Sequence, residues 1–349
     1  MIPLEDVIEM KHLAACLNRL IEEKRVGNIA VRAGVHDRVL MEAYRSPDGS
    51  VNEDTLFDMA SVTKILAVTN LSLMALDRGL IRLDDPVSKY FPCGPGKEKL
   101  TVFNLLTHTI GIGHKSMLAE GNTYDNIAEY ILKIPCDIPI GSDVLYSCPA
   151  FIVLGKLMEK LFSRRLDVLF REMVAQPLGL TSTGFLPQDV SNMVNANPEA
   201  DKLGWVNDYN CRFLGRVAGN AGIFSNVRDL TRFAQFLIGK GAPLFSEKTF
   251  ELARRNHTPS MAEARGLGYV YVDERYPQTG RLFPAGSIGH CGHTGQSVFV
   301  HPESGLYVII LSDATISTVR RLGREDYGEV MCMRAEVNNA IKADMESGN

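Results

Sequence analysis

The sequence carries no excess of charge of either sign. Its 37 Lys and Arg stand against 41 Asp and Glu, a formal net charge of -4 over 349 residues. Without a basic surplus there is no electrostatic footprint for nucleic acid or for an anionic membrane. No apolar run approaches the roughly 20 residues of a membrane-spanning helix, so no membrane span is expected. The opening Met1-Ile2-Pro3-Leu4-Glu5-Asp6 lacks the basic start and apolar stretch of a secretory signal. Seven cysteines, an odd number, are scattered singly with no Cys-x-x-Cys pair. Free thiols in a reducing cytoplasm are therefore expected, with no disulfide framework and no zinc site. Internal repeats and low-complexity linkers are missing as well. What remains is 45% hydrophobic, enough to build a sizeable core, and the length fits two domains or one two-lobed unit.

Periodicity divides the chain into strands at both ends and helices between. Leu13, Ala14, Leu17, Leu20 and Ile21 recur at helical spacing and predict an amphipathic helix over residues 4–25. Asn28 to Ala33 and Val39 to Ala43 read as a hairpin turning around Val35-His36-Asp37-Arg38. Late strands are expected over Gly268–Val272, Ser297–Val300 and Leu306–Leu311, with a closing helix over 321–345. Between them come a long apolar helix opened by Ser61 and stopped at Gly79, a helix start at Leu83–Val87, further helices near 101–109, 123–133, 150–162, 166–175, 227–238 and 246–254, and irregular loops over 187–222. The economical fold is α/β: an antiparallel sheet built from both termini and flanked by helices, beside an all-helical lobe. The domains would be 1–57 with 255–349, and 58–254, with an active site in the cleft between them.

Chemistry concentrates at Met59-Ala60-Ser61-Val62-Thr63-Lys64. Helical spacing puts Ser61 and Lys64 on one face, one turn apart. A serine hydroxyl is a weak nucleophile unless a neighbouring base takes its proton. Burial at the mouth of an apolar helix favours the neutral amine of a lysine by desolvation. One Ser-x-x-Lys is expected by chance in a chain of this length, so the motif gains weight only from partners downstream. Two follow in order. Tyr146-Ser147-Cys148 lies on a loop ahead of a helix, and His290-Cys291-Gly292-His293-Thr294-Gly295-Gln296 leads into a late strand.

This order resembles class C β-lactamases, DD-peptidases and the β-lactamase-like serine esterases. The resemblance extends from about Leu56 to Leu311. It includes Phe57-Asp58-Met59-Ala60-Ser61-Val62-Thr63-Lys64, Leu80-Ile81-Arg82-Leu83-Asp84-Asp85-Pro86-Val87, Leu105-Leu106-Thr107-His108-Thr109 and Ala221-Gly222-Ile223-Phe224-Ser225. It implies Ser61 as the acylated nucleophile, with Lys64 and Tyr146 sharing the acid and base work. Which of the two holds the proton is not decided by the residues. The backbone N–H groups of Ser61 and Gln296 would form the oxyanion hole. Cys148, His293, Thr294 and Gly295 would face the substrate. No cofactor and no metal are implied.

Two positions depart from that pattern. Cys148 stands where relatives carry asparagine, and a thiol is a poor hydrogen-bond substitute for an amide. His293 stands where lysine is common, and histidine is only partly charged near neutral pH. Both departures favour a carboxylesterase acting on small esters. A D-amino-acid peptidase, DD-carboxypeptidase or β-lactamase of the same fold is the alternative, so the partner is a small ester, amide or lactam. A non-turnover ligand-binding protein or an acyl-transfer enzyme also remains open, and oligomeric state is not legible. Other side chains have plainer readings. His108 is expected to bond backbone under its helix. Trp205 and Tyr209 line the pocket or simply stand on a loop. Cys148 is also a reactive-thiol candidate beside Lys64.

Overall fold

Ile29-Ala30-Val31-Arg32-Ala33-Gly34-Val35 and Leu306-Tyr307-Val308-Ile309-Ile310-Leu311-Ser312 are almost continuously apolar, the composition of strands covered on both faces. The protein, described here by a computed structural model, is defined over residues 9–117, 121–197, 202–323 and 332–347. Its strands are β1 (Ile29–Val35), β2 (Arg38–Arg45), β3 (Phe57–Asp58), β4 (Gly184–Phe185), β5 (Ile223–Ser225), β6 (Val270–Tyr271), β7 (Ile288–Cys291), β8 (Ser297–His301) and β9 (Leu306–Ser312). Six of them form one antiparallel sheet in the order β2-β1-β9-β8-β7-β6. The sheet is thus built from both ends of the chain, as expected. The β1–β2 hairpin turns on His36-Asp37, with His36 in the left-handed region (φ 53°).

Alternation along each strand sorts the core into two layers. Ile29, Val31, Ala33, Phe299, Val308 and Ile310 pack under the helices Lys11–Glu22 and Met333–Ser347. Ala30, Val298, Val300, Tyr307, Ile309 and Leu311 point the other way, into the larger core shared with the middle of the chain. The terminal helices are stitched together by Asp344. Its buried carboxylate accepts the backbone N–H groups of His12 and Leu13, both at 2.8 Å, so a residue from the end of the chain supplies the first helix with acceptors for its free N–H groups.

Several expectations need correction. The first helix begins at Lys11, and residues 4–8 of the expected span lie outside the described residues. The expected closing helix over 321–345 is replaced by Ile316–Arg321 and Met333–Ser347, with 324–331 outside the described residues. Leu83–Val87 does not open a helix. Asp85 turns its carboxylate onto the Arg82 N–H and the Tyr90 hydroxyl, and only a short turn, Val87–Lys89, follows. The middle of the chain is not all-helical: β3, β5 and β4 form a small sheet there, in that order. A short helix, Tyr209–Phe213, interrupts the loops expected over 187–222, of which 198–201 lie outside the described residues.

The Ser61 helix is irregular. A tight turn over Ala60–Val62 gives way to a widened π segment over Lys64–Thr69 and then to regular helix over Asn70–Asp77. Widening frees carbonyls, and the buried Asn70 amide takes two of them, Ile65 at 3.0 Å and Leu66 at 2.9 Å. Such π segments recur at functional sites.

Candidate active site

Ser61 owes its position to the aspartate three residues before it. Asp58 ends β3 and is fully buried. One of its carboxylate oxygens accepts the Ala60 N–H at 2.8 Å and the other the Asn207 N–H at 2.6 Å. Its backbone carbonyl accepts the Thr294 hydroxyl at 2.8 Å and the Gln296 side-chain amide. Ala60 is held in the left-handed region (φ 44°), a strained conformation for a residue with a Cβ. Asp58 therefore links the nucleophile turn to the backbone at Asn207 and to the third motif. Burial pushes its carboxyl up to about 6, against the two backbone N–H bonds that favour the anion.

Lys64 follows one turn later and is completely buried. Its ammonium nitrogen lies 2.8 Å from Ser61 Oγ, 3.0 Å from the Asn220 carbonyl and 3.5 Å from Cys148 Sγ. The Asn220 carbonyl reaches it because Gly219 passes directly over the Cys148–Phe162 helix. A Cβ at Gly219 would come within 1.9 Å of the Phe151 carbonyl oxygen. Desolvation pulls the lysine down, but Cys148 and then Tyr146 outweigh it, and the amine ends above its ordinary value. Burial alone suggested a neutral amine; the acceptors gathered around it reverse the sign.

Tyr146 enters from the loop ahead of the Cys148–Phe162 helix. Ser147 caps that helix, its hydroxyl accepting the Ala150 N–H at 3.2 Å, and Pro149 sits in the first turn. The Tyr146 hydroxyl lies 2.8 Å from Ser61 Oγ. Its ring stacks on His108, centroids 4.7 Å apart, and His108 stacks in turn on Phe151 at 4.9 Å. His108 Nδ1 accepts the Ser147 N–H at 3.0 Å, the backbone-bonding role expected of it. Burial pushes Tyr146 up and Lys64 pulls it down; burial prevails.

Cys148, the first helical residue after the Ser147 cap, is buried. Burial raises its thiol, but the Lys64 charge and then a hydrogen bond with His114 bring it below the ordinary thiol value. The same bond lifts His114. Nothing in the sequence pointed to His114, which belongs to an irregular loop.

The third motif forms the β7–β8 turn. The Gly295 N–H closes it onto the Gly292 carbonyl at 3.1 Å, and the Gly292 N–H bonds the Gln296 carbonyl at 2.9 Å. The turn lies against the nucleophile: a Cβ at Gly292 would stand 2.7 Å from the Met59 carbonyl oxygen. Thr294 spends its hydroxyl on Asp58, so its side chain serves the turn. His293 reaches the surface, where partial burial and the Arg334 guanidinium push its imidazole below the usual value. It supplies no fixed cation at neutral pH. Among the described residues, no group of three His, Cys, Asp or Glu side chains is placed to hold a metal ion, and no helix is long and apolar enough to cross a membrane.

Sequence and structure comparisons fit this geometry. A family model described as Beta-lactamase matches residues 13–329. The chain belongs to the Beta-lactamase family. It is a serine hydrolase of that family. It is similar to Esterase EstB of Burkholderia gladioli, 29% identical over 356 residues, covering 86% of this chain and 89% of that one. It is also similar to an N-acetylmuramyl-L-alanine amidase of Bacillus subtilis (strain 168), 27% identical over 313 residues, covering 78% and 70%. Among solved structures, EstCE1, a hydrolase with promiscuous acyltransferase activity, superposes with a TM-score of 0.74 at 20% identity, covering 94% of this chain and 98% of that one. That likeness shows the shared fold.

Proposed function

We propose that this protein is a carboxylesterase for small esters, working through an acyl-enzyme on Ser61. The observation that carries the reading is the placement of Lys64 Nζ and Tyr146 Oη, each 2.8 Å from Ser61 Oγ. Two proton-carrying groups within hydrogen-bond reach of one hydroxyl are what an activated serine requires.

In this reading Ser61 Oγ attacks the ester carbonyl carbon while its proton passes to the Lys64–Tyr146 pair. The carbonyl oxygen becomes an oxyanion held by the Ser61 and Gln296 backbone N–H groups. The pair returns the proton to the departing alcohol as the carbon–oxygen bond breaks. Water then adds to the acyl-enzyme, loses a proton to the same pair, and releases the carboxylic acid and the free serine.

Cys148 and His293 support esters over amides and lactams. An alcohol departs more readily than an amine, so an ester makes the smaller demand on proton delivery and on grip of the substrate. A thiol that bonds Lys64 and His114 offers no amide group to a peptide substrate. His293, neutral near pH 7, offers little to a substrate carboxylate. Seven unpaired thiols suit a reducing compartment, which supports a cytoplasmic location.

The test gives purified protein and its Ser61→Ala variant a short-chain p-nitrophenyl ester and, separately, a penicillin, with intact mass recorded alongside. Ester turnover that requires Ser61, with no lasting penicillin adduct, is the expected outcome. A penicillin adduct on Ser61 that persists or turns over would transfer the reading to the peptidase and lactamase side. Saturable binding without turnover of either substrate would leave a ligand-binding role.

A further inference from the structure

Behind the Tyr146 ring lies a buried cluster that the chemistry above leaves unused. Arg265 precedes β6, fixed by its backbone: its N–H donates to the Thr258 hydroxyl at 2.8 Å, and its carbonyl accepts the His257 N–H at 2.8 Å. The residue is only 5% exposed, and its guanidinium carbon stands 5.6 Å from the Tyr146 ring centroid. Nη2 donates to Glu263, whose side chain is 48% exposed. Nε and Nη1 have no hydrogen-bond partner among the described residues.

His108 and His290 complete the cluster, and their hydrogen bonds fix their tautomers. His108 Nδ1 accepts from a backbone N–H, so its hydrogen is on Nε2. His290 Nδ1 lies 2.7 Å from the Cys291 carbonyl, which only accepts, so its hydrogen is on Nδ1. Burial pushes both imidazoles well below their usual value, and the Lys64 and Arg265 charges add to it. Both are neutral. A guanidinium does not deprotonate in a protein, so Arg265 is the permanent charge of the cluster. Burying it with N–H groups unspent is costly unless the charge is used.

The other groups around Tyr146 are already committed. Lys64 Nζ stands 5.0 Å from the ring centroid, yet it has an acceptor for each ammonium hydrogen: Ser61, Cys148 and the Asn220 carbonyl. Cys148, on the helix that follows, bears on both Lys64 and Tyr146, while Asp208 bears on Lys64 and Cys148. His290, on β7, tilts against Tyr146 with centroids 6.1 Å apart. Glu263 offsets part of the Arg265 charge from the solvent side.

We propose that Arg265 is a positioning residue of the reaction, whose charge at the face of the Tyr146 ring favours the phenolate, so that Tyr146 rather than Lys64 takes the Ser61 proton. The proposal rests on the Ser61–Lys64–Tyr146 reading above. It deepens that reading by giving the base role to one member of the pair, through a residue outside the three motifs. The negative face of an aromatic ring already attracts a cation, and ionising the phenol strengthens the attraction.

The experiment titrates Tyr146 directly, without turnover. The tyrosinate ultraviolet difference spectrum, parent minus Tyr146→Phe, is recorded against pH in the natural, Arg265→Gln and Glu263→Gln backgrounds. The pH profile of kcat/KM for p-nitrophenyl acetate is measured alongside. Arg265→Gln is expected to move the Tyr146 titration and the rising limb of kcat/KM to higher pH by about one unit, the scale of a nearby charge. Glu263→Gln leaves the guanidinium and removes its partner, so it is expected to move both to lower pH. It also alters only a half-exposed side chain, which keeps the test available should Arg265→Gln fail to fold. A Tyr146 titration unmoved in every folded variant overturns the proposal. If the titration moves while Ser61→Ala hydrolyses the ester as fast as the natural protein, the Arg265 effect stands and the hydrolase reading falls.

Discussion

The Cys148 thiol lies 3.5 Å from the Lys64 ammonium, in the cage that holds the Ser61 hydroxyl. A sulfur is a weaker hydrogen-bond acceptor than an amide oxygen, and the Lys64 charge and the His114 hydrogen bond lower the thiol's pKa against the effect of burial. Cys148→Ala removes one of the three acceptors around a buried cation. A tenfold loss of kcat/KM on a p-nitrophenyl ester is the expected scale, about 1.4 kcal/mol. Cys148→Asn is expected to keep ester turnover and raise turnover of the matching p-nitroanilide. An anilide rate no higher than that of the natural protein would remove Cys148 as the reason for ester preference.

Lys64 and Tyr146 are both held above their ordinary values, the first by Cys148 and Tyr146 against desolvation, the second by burial. The resting pair thus carries the lysine proton and the phenol proton together. One of these protons must leave before the pair can accept that of Ser61, so kcat/KM should rise with pH above neutrality. The pH profile on an ester with a stable blank rate checks this. A flat profile above pH 7 would count against the pair as the base.

Asp58 predicts a pH dependence of stability. Its carboxyl is raised to about 6 from 3.8, so between these values the folded state binds more protons than the unfolded state. Its contribution is fully present below about pH 4 and is lost as the pH rises toward 6, with a magnitude on the order of 3 kcal/mol. Denaturant melts of the natural protein and Asp58→Asn across pH 4–6 test this. The natural protein should lose stability relative to the variant over that window. Asp58→Asn should also lose most of its activity, because an amide N–H cannot accept the second of the backbone hydrogens from Ala60 and Asn207.

Gly219→Ala is a geometric test of the Lys64 cage. The new methyl would meet the Phe151 carbonyl oxygen, and that oxygen belongs to a helix backbone with little freedom to move. Backbone shift at Gly219 draws the Asn220 carbonyl away from Lys64. A drop in Tm of several degrees is expected, from a cost of about 1–3 kcal/mol, with a loss of kcat/KM of at least tenfold. Unchanged activity would mean that the Asn220 carbonyl is dispensable.

The motifs were legible because their spacing is short-range. Ser61 and Lys64 share a helix face by periodicity alone. Tyr146 precedes a helix whose cap, Ser147, and first-turn proline, Pro149, can be read directly. The π segment was not legible, since it depends on Asn70 being buried where it can take two carbonyls. The Asp58 role was hidden as well. Its partners Asn207, Thr294 and Gln296 lie 149 to 238 residues away, and no local pattern marks them. Arg265 and His114 stand on irregular segments whose side-chain directions follow from packing.

By itself, the sequence determined the strands at both ends of the chain, the order of the three motifs and the departures at Cys148 and His293. These follow from residue type and from the two backbone periods, which act over a few residues. Only the tertiary structure decided which groups surround Lys64 and Tyr146, and so the direction in which each is shifted. Protonation of a buried group depends on a balance between desolvation and charges brought in from distant parts of the chain, and that balance exists only once the chain has folded.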